Sequence, residues 1–290
     1  QRQMCIRDRL YGDVMERVVY NTLFAAQSPD GRQIRYYTPL EGPRVYQRGD
    51  AYCCPGNYRR IVMELPSMIY YQDDDGLAVN LYTASEARLR VRDTPLVVRQ
   101  ETDYPNSGTV IITMDPETPL TCALRLRIPS WCPRATVQVN EEESLTAAGG
   151  TFCVLDRSWK AGDRVRLDMP MTWRLVRGRQ RQAGRVTVLR GPLVFGLDPE
   201  RDPGTQGQDP ADLGGIWLDP ETLGETVADA SARPDGLACE ALGWKPGHDL
   251  KKGPTLPLRL TEFADPGCRL IYFRLRDFSG AVDDELLGNR

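Results

Sequence analysis

From residue 69 onward the chain is a succession of short apolar runs, each alternating in character and each closed by a turn signal. The runs 68–71 and 77–82 flank Asp73-Asp74-Asp75-Gly76, and others follow at 89–91, 96–100, 109–114, 122–128, 136–139, 151–155 and 164–169. A period of two puts successive side chains on opposite faces of an extended strand. Many such strands at regular spacing predict a β-sandwich. The Asp run lacks the onward ligand spacing of a calcium loop and is expected to be a plain hairpin turn. A stronger apolar stretch at 185–197, broken by Arg190-Gly191-Pro192, opens a second, smaller β unit. Residues 198–213 are rich in Asp, Pro and Gly and read as a loop. Strand-like pieces resume at 216–218, 256–260 and 270–275, and the polar tail from Val282 is expected to fray.

Before residue 69 the period changes. Leu10, Val14 and Val18 form one stripe, with Tyr11, Met15, Val19 and Leu23 beside it, which predicts an amphipathic helix over 10–27. Ser28-Pro29-Asp30-Gly31 stops it, and Arg35-Tyr36-Tyr37-Thr38 is strand-like. After Gly42-Pro43 the spacing of Tyr58, Ile61, Leu65 and Met68 predicts a second helix, opening at Pro55 and ending near Pro66. The first helix has no evident core partner, which fits a larger helical domain upstream. Met4-Cys5-Ile6-Arg7-Asp8-Arg9 back-translates to ATGTGTATAAGAGACAG, a transposon end used in sequencing libraries. Residues 1–9 are therefore expected to be adapter-derived, with the native N-terminus and any leader lying beyond them. The expected division is 1–9 adapter, 10–68 helical remnant, 69–184 middle β-sandwich and 185–290 C-terminal β domain.

Composition narrows the chemistry. The 290 residues carry a net charge of −3 with both signs interspersed, so there is no footprint for nucleic acid. No apolar run approaches the ~18 residues of a membrane-spanning helix. Eight cysteines are too few for a disulfide scaffold of this length. Single cysteines in strand-like runs read as buried and inert. One histidine, His248, sits in the loop-like Pro246-Gly247-His248-Asp249 and disfavours a Ser/His or Cys/His triad. Catalysis would then rest on carboxylates, thiolates or a metal. Cys53 and Cys54 are adjacent, just ahead of Pro55. At a helix N-terminus the free N–H groups and the macrodipole favour thiolates, which bind soft metals or attack electrophiles. The same pair equally reads as two buried structural cysteines.

Several strings, taken in order, resemble the C-terminal portion of glycoside hydrolase family 127, the β-L-arabinofuranosidase family. They are Tyr11-Gly12-Asp13-Val14-Met15-Glu16-Arg17 with Tyr20-Asn21-Thr22, then Cys53-Cys54-Pro55-Gly56-Asn57, then Gln100-Glu101-Thr102-Asp103-Tyr104-Pro105. Leu126-Arg127-Ile128-Pro129-Ser130-Trp131-Cys132 and Gly184-Arg185-Val186 with Arg190-Gly191-Pro192-Leu193-Val194 complete the set. The resemblance implies a mixed, mainly β chain: terminal helices of a truncated (α/α)6 barrel followed by β-sandwich domains.

It also implies a retaining hydrolase that releases terminal β-L-arabinofuranose, or a related sugar, from a carbohydrate. In the family a zinc ion (Zn2+) is held by a Glu and three Cys, one of which attacks the anomeric carbon. Cys53 matches that nucleophile and metal ligand, and Cys54 matches a second thiolate ligand. The other ligands and the acid/base Glu fall upstream of Tyr11 in the family, so the 290-residue chain alone is expected to be inactive. Pro55-Gly56 replaces the Pro-Pro of many members, which leaves the sugar open. Among carboxylates here, Glu16 is expected to face solvent or pack structurally, and Glu101 and Asp103 to be structural. Glu41 and Asp50 flank the loop before the cysteines and stay under consideration. The alternative is a non-catalytic carbohydrate-binding or scaffold module with buried cysteines. Trp131, Trp159, Trp173, Trp217 or Trp244 exposed on a sheet face would support it. A thiol redox protein ranks lower, because adjacent cysteines close only a strained eight-membered ring. The residues suggest a soluble chain, cytoplasmic or exported, and do not decide between the two.

Overall fold

Burial along many of the strands follows the expected alternation, and the chain folds into two units. The structure, a computed structural model, describes residues 9–46, 53–208 and 210–287. The first unit joins the described residues up to Glu16 with Arg59–Met171, and the second joins Arg17–Tyr58 with Thr172–Arg290.

The first unit holds α1 (Arg9–Arg17) up to Glu16 and ten strands. These are β1 (Tyr70–Gln72), β2 (Gly76–Val79), β3 (Ser85–Val91), β4 (Thr94–Glu101), β5 (Thr109–Pro116), β6 (Leu120–Ile128), β7 (Arg134–Val139), β8 (Leu145–Ala148), β9 (Thr151–Trp159) and β10 (Asp163–Asp168). A four-stranded sheet runs β1-β2-β6-β9 and a six-stranded sheet runs β3-β4-β5-β10-β7-β8. Only the β2–β6 pair is parallel. In β4 and β5 alternate residues Leu96, Val98, Val110, Ile112 and Met114 are buried, each at 1% exposure or less. One apolar face per sheet is what a sandwich requires. The Asp73 turn is a hairpin, its carboxylate accepting from the Asp75 and Gly76 backbone N–H groups.

The strand β6 is buried on both faces, and that explains an arginine in an apolar run. Leu124 and Leu126 fill one side, while Arg127, 0% exposed, points to the other. There Arg127 Nη1 donates to Asp13 Oδ1 at 2.5 Å and Nη2 to Glu16 Oε1 at 2.7 Å. Tyr104 Oη and Trp131 Nε1 donate to the two Glu16 oxygens at 2.7 and 3.1 Å. The Ser130 hydroxyl and backbone N–H both reach Asp13 Oδ2. Burial alone would lower the Arg127 pKa, but Glu16 and Asp13 outweigh it and hold the guanidinium above its ordinary value. Gly12 makes this approach possible, since a Cβ there would stand 2.6 Å from Arg127 Cδ.

This reverses the face expected for the first helix. Asp13 and Glu16 are buried at 4% and 1%, while Leu10, Tyr11, Val14 and Val18 are exposed. The buried arginine outweighs apolar patterning, because an unpaired buried charge costs more than an exposed leucine.

The second unit carries nine strands: β11 (Trp173–Arg177), β12 (Arg185–Arg190), β13 (Leu193–Leu197), β14 (Trp217–Asp219), β15 (Thr226–Ala228), β16 (Leu237–Trp244), β17 (Leu256–Glu262), β18 (Phe273–Arg274) and β19 (Ala281–Val282). The path β13-β17-β16-β14-β18-β12 closes on itself through the β12–β13 pairing. Closure leaves no edge within the ring. Its interior is filled by Val186, Val188, Phe195, Leu258, Leu260 and Phe273. A π-helical segment, Val18–Leu23, is tied to the β12–β13 hairpin by Asn21. The Asn21 Nδ2 donates to Pro192 O at 2.9 Å, and its Oδ1 accepts from Val194 N at 2.8 Å.

Other expectations change. Residues 35–38 form no strand; Ile34 instead bridges back to Gln27, and the buried Arg35 guanidinium lies 4.2 Å from the Tyr46 ring centroid. The 270–275 strand shrinks to Phe273–Arg274, because Leu270 is engaged in isolated bridges to Glu41 and Leu197. The tail does not fray before residue 287: β19 pairs with β11, and Glu285 binds both Arg17 and Arg174. Strands β8, β11, β15 and β16 stand where no strand was expected.

Candidate active-site thiols

The cysteine pair opens a helix, two residues earlier than the Pro55 start. α2 spans Cys53–Glu64, with a 3-10 turn over Leu65–Met68 after it. Pro55 is still in the first turn, where a missing N–H breaks no helical bond, and it is the one buried residue of α2. The stripe Tyr58, Ile61, Leu65 and Met68 is half-buried as its spacing implied. Tyr58 Oη donates to Gln27 Oε1 at 3.0 Å.

At the head of this helix Cys53 is exposed and Cys54 half-buried. Cys122, Cys132, Cys153, Cys239 and Cys268 are all buried, the first, third and fourth of them in strands. Burial raises Cys239 to about 12 and Cys268 to about 11, which keeps both as inert thiols at neutral pH. Cys54 is also raised, first by desolvation and then by its hydrogen bond and charge interaction with Cys53. The helix terminus thus does not lower the Cys54 thiol below its ordinary range.

Two soft donors suit zinc, which takes four ligands in tetrahedral sites. Among the described residues no group of three or more Cys, His, Asp or Glu side chains is placed to hold a metal. The pair therefore fits half of such a set. Asp50 lies outside the described residues. Glu41 is half-buried and committed to Arg185 at 2.5 Å and to Gln182 at 3.2 Å. Glu16 is the buried anchor of Arg127, and exposed Glu101 pairs with Arg164. Asp103 accepts from the Ser107 hydroxyl. His248 is exposed in its loop. Trp131, Trp159 and Trp244 are buried and Trp173 and Trp217 half-buried, so the exposed aromatic platform of a binding module is not present among them.

The sequence reading missed two features. One is the Asp13–Glu16–Arg127 cluster, whose signals were carboxylates at i and i+3 and an arginine inside Leu124-Arg125-Leu126-Arg127-Ile128. The other is an arginine-lined cleft of about 720 Å³ in the second unit, walled by Glu41, Arg181, Arg185, Trp217, Arg269 and Arg274.

Residues 4–67 match the profile described as "Beta-L-arabinofuranosidase, GH127 catalytic domain", and residues 76–171 match "Beta-L-arabinofuranosidase, GH127 middle domain". The chain belongs to glycoside hydrolase family 127. It is 30% identical over 220 residues to the non-reducing end β-L-arabinofuranosidase of Bifidobacterium longum subsp. longum, covering 67% of this chain and 32% of that protein. Its fold matches a GH127 β-L-arabinofuranosidase from Geobacillus stearothermophilus T6 with a TM-score of 0.78 at 26% identity, over 93% of this chain and 47% of that one. A second solved glycoside hydrolase gives a TM-score of 0.82 at 25% identity, over 93% and 49%. The chain thus spans about a third of the curated relative and about half of these solved chains. Four of the strings that carry the family-127 resemblance meet pairwise in the structure. Asp13 and Glu16 hold Arg127, Ser130 and Trp131, and Asn21 holds Pro192 and Val194.

Proposed function

We propose that this chain contributes the nucleophile segment of a retaining glycoside hydrolase acting on a terminal β-L-arabinofuranoside or a related sugar. Cys53 is the nucleophile, and Cys53 with Cys54 forms part of a zinc site. The observation that carries this is exposure: Cys53 opens a helix with its thiol at the surface, whereas the five cysteines of the β units are buried. The family membership supplies the substrate class.

The Cys53 sulfur attacks the anomeric carbon as the glycosidic C–O bond breaks and the leaving oxygen takes a proton from a carboxylic acid. Water then displaces sulfur, with the same carboxylate as base. A thioglycoside is a sluggish intermediate, and bound zinc would supply the charge that keeps the thiols deprotonated and makes sulfur a better leaving group. Cys54 would hold the metal beside Cys53, as a second thiolate ligand. The acid/base Glu and the remaining donors come from outside the described residues. By itself the 290-residue chain gives no turnover.

The test is an aryl β-L-arabinofuranoside assay of the chain joined to the family segment that precedes the Tyr11 string. Release should be lost in Cys53→Ser. Full activity in that variant, or turnover by the isolated chain, overturns the reading.

A further inference from the structure

The arginine-lined cleft of the second unit is not used by the proposed reaction, and its chemistry is distinct. Four arginines, Arg181, Arg185, Arg269 and Arg274, line a space of about 720 Å³ together with one carboxylate, Glu41. Glu41 is occupied by Arg185 at 2.5 Å. Arg269 reaches Glu200 at 2.8 Å, a pair whose acid is 75% exposed and so screened by solvent. Arg181 and Arg274 have no carboxylate partner among the described residues. The Arg274 guanidinium is held 5.7 Å from the centroid of the Trp217 ring, which also lines the cleft. A chain of net charge −3 has here concentrated cations in a concave wall. Such walls focus potential and raise the local concentration of anions.

We infer that this cleft binds an acidic sugar unit, a uronate, its carboxylate taken by Arg181 and Arg274 and its ring lying near Trp217. Guanidinium forks match planar carboxylates in two parallel hydrogen bonds, which ammonium groups do not. The space admits a sugar of one or two rings in addition to the anion, and a half-buried indole beside a cation offers apolar contact to a ring face. The choice of a sugar among carboxylates rests on the glycoside hydrolase reading. The cleft would then hold an acidic branch or neighbouring residue of the glycan.

Calorimetric titration of the 290-residue chain tests this, with trigalacturonate, its neutral carboxyl-reduced trisaccharide, and inorganic phosphate as probes. Trigalacturonate should bind, weaken as salt rises, and exceed both other probes by about tenfold or more. Arg274→Ala and Arg181→Ala should each weaken it by about tenfold, while Arg88→Ala, whose side chain is 82% exposed in the first unit, should not. Both cleft residues are exposed, so unchanged melting is expected and is measured alongside. Equal binding of the neutral trisaccharide, phosphate binding as tightly as trigalacturonate, no binding, or binding unaltered in the arginine variants each overturns the proposal. The readout involves no turnover and no cysteine. Its failure leaves the Cys53 reading standing, and failure of that reading leaves the titration interpretable.

Discussion

Arg127 and Glu16 meet at 2.7 Å with 0% and 1% of their side chains exposed. Taking one member from such a pair strands the other charge in a dry interior. Glu16→Ala is therefore expected to lower stability by about 3–5 kcal/mol, and Glu16→Gln by less, since the amide can still bond Trp131 and Arg127 is left with Asp13. Urea denaturation followed by tryptophan fluorescence measures both. A change under about 1 kcal/mol for Glu16→Ala would refute the anchoring role.

Asn21 performs the corresponding task with neutral groups. Its side-chain amide satisfies a carbonyl and an N–H on either side of Leu193, and Asn21 is 4% exposed. Asn21→Leu keeps the volume but orphans both backbone groups, each costing about 1–3 kcal/mol. Thermal melts should show a lower midpoint, and an unchanged midpoint would mean that water replaces the amide.

Exposure sorts the cysteines by reactivity. Brief treatment of the native protein with iodoacetamide should label Cys53, and Cys54 more slowly because its thiol is raised by burial and by Cys53. Cys122, Cys132, Cys153, Cys239 and Cys268 should react only after denaturation. Peptide mass spectrometry resolves the sites. Labelling of Cys239 or Cys268 as fast as Cys53 contradicts the burial pattern. Zinc added beforehand should protect Cys53 and Cys54 once the remaining donors are present.

Acid should act through Asp229. Burial alone would raise its pKa, but hydrogen bonding from Ser231 and Arg259, with Arg201 close by, holds it at about 2 against an ordinary 3.8. A depressed carboxylate contributes stability that is full above the unfolded value and is lost as pH falls through the folded one. Asp229→Asn should be less stable than the parent at neutral pH, and the gap should close between pH 3.8 and about 2. A gap that stays constant over that range means the charge of Asp229 is not what stabilises.

The strands of the first unit were legible because nearly all have one buried face, and period two is a direct imprint of that. Strand β16 was not, since Leu-Ala-Cys-Glu-Ala-Leu-Gly-Trp lacks β-branched residues and favours helix by propensity. It extends because Gly243 lets the Trp217 carbonyl approach within 2.3 Å of where a Cβ would stand. The turn of helix α1 that faces inward was also hidden. Apolar periodicity reports which residues avoid water, whereas α1 is oriented by a charge on a strand more than a hundred positions later. The thiol pair announced itself by adjacency and by Pro55. Its partners did not, because ligands are gathered by topology rather than by spacing. The cleft arginines stay silent for the same reason: they come from two sequence regions separated by the closure of the ring.

The inverted helix α1 separates two selection pressures that usually share one set of residues. Its inward side tolerates little, because Asp13 and Glu16 bond Arg127 and a side chain at Gly12 would collide with it. Its outward side carries the exposed Tyr11 and Val14, and a polar substitution there leaves the Arg127 bonds in place. Along α1, substitution of Asp13 or Glu16 should therefore cost this chain more stability than substitution of Val14, the reverse of what hydrophobicity alone suggests.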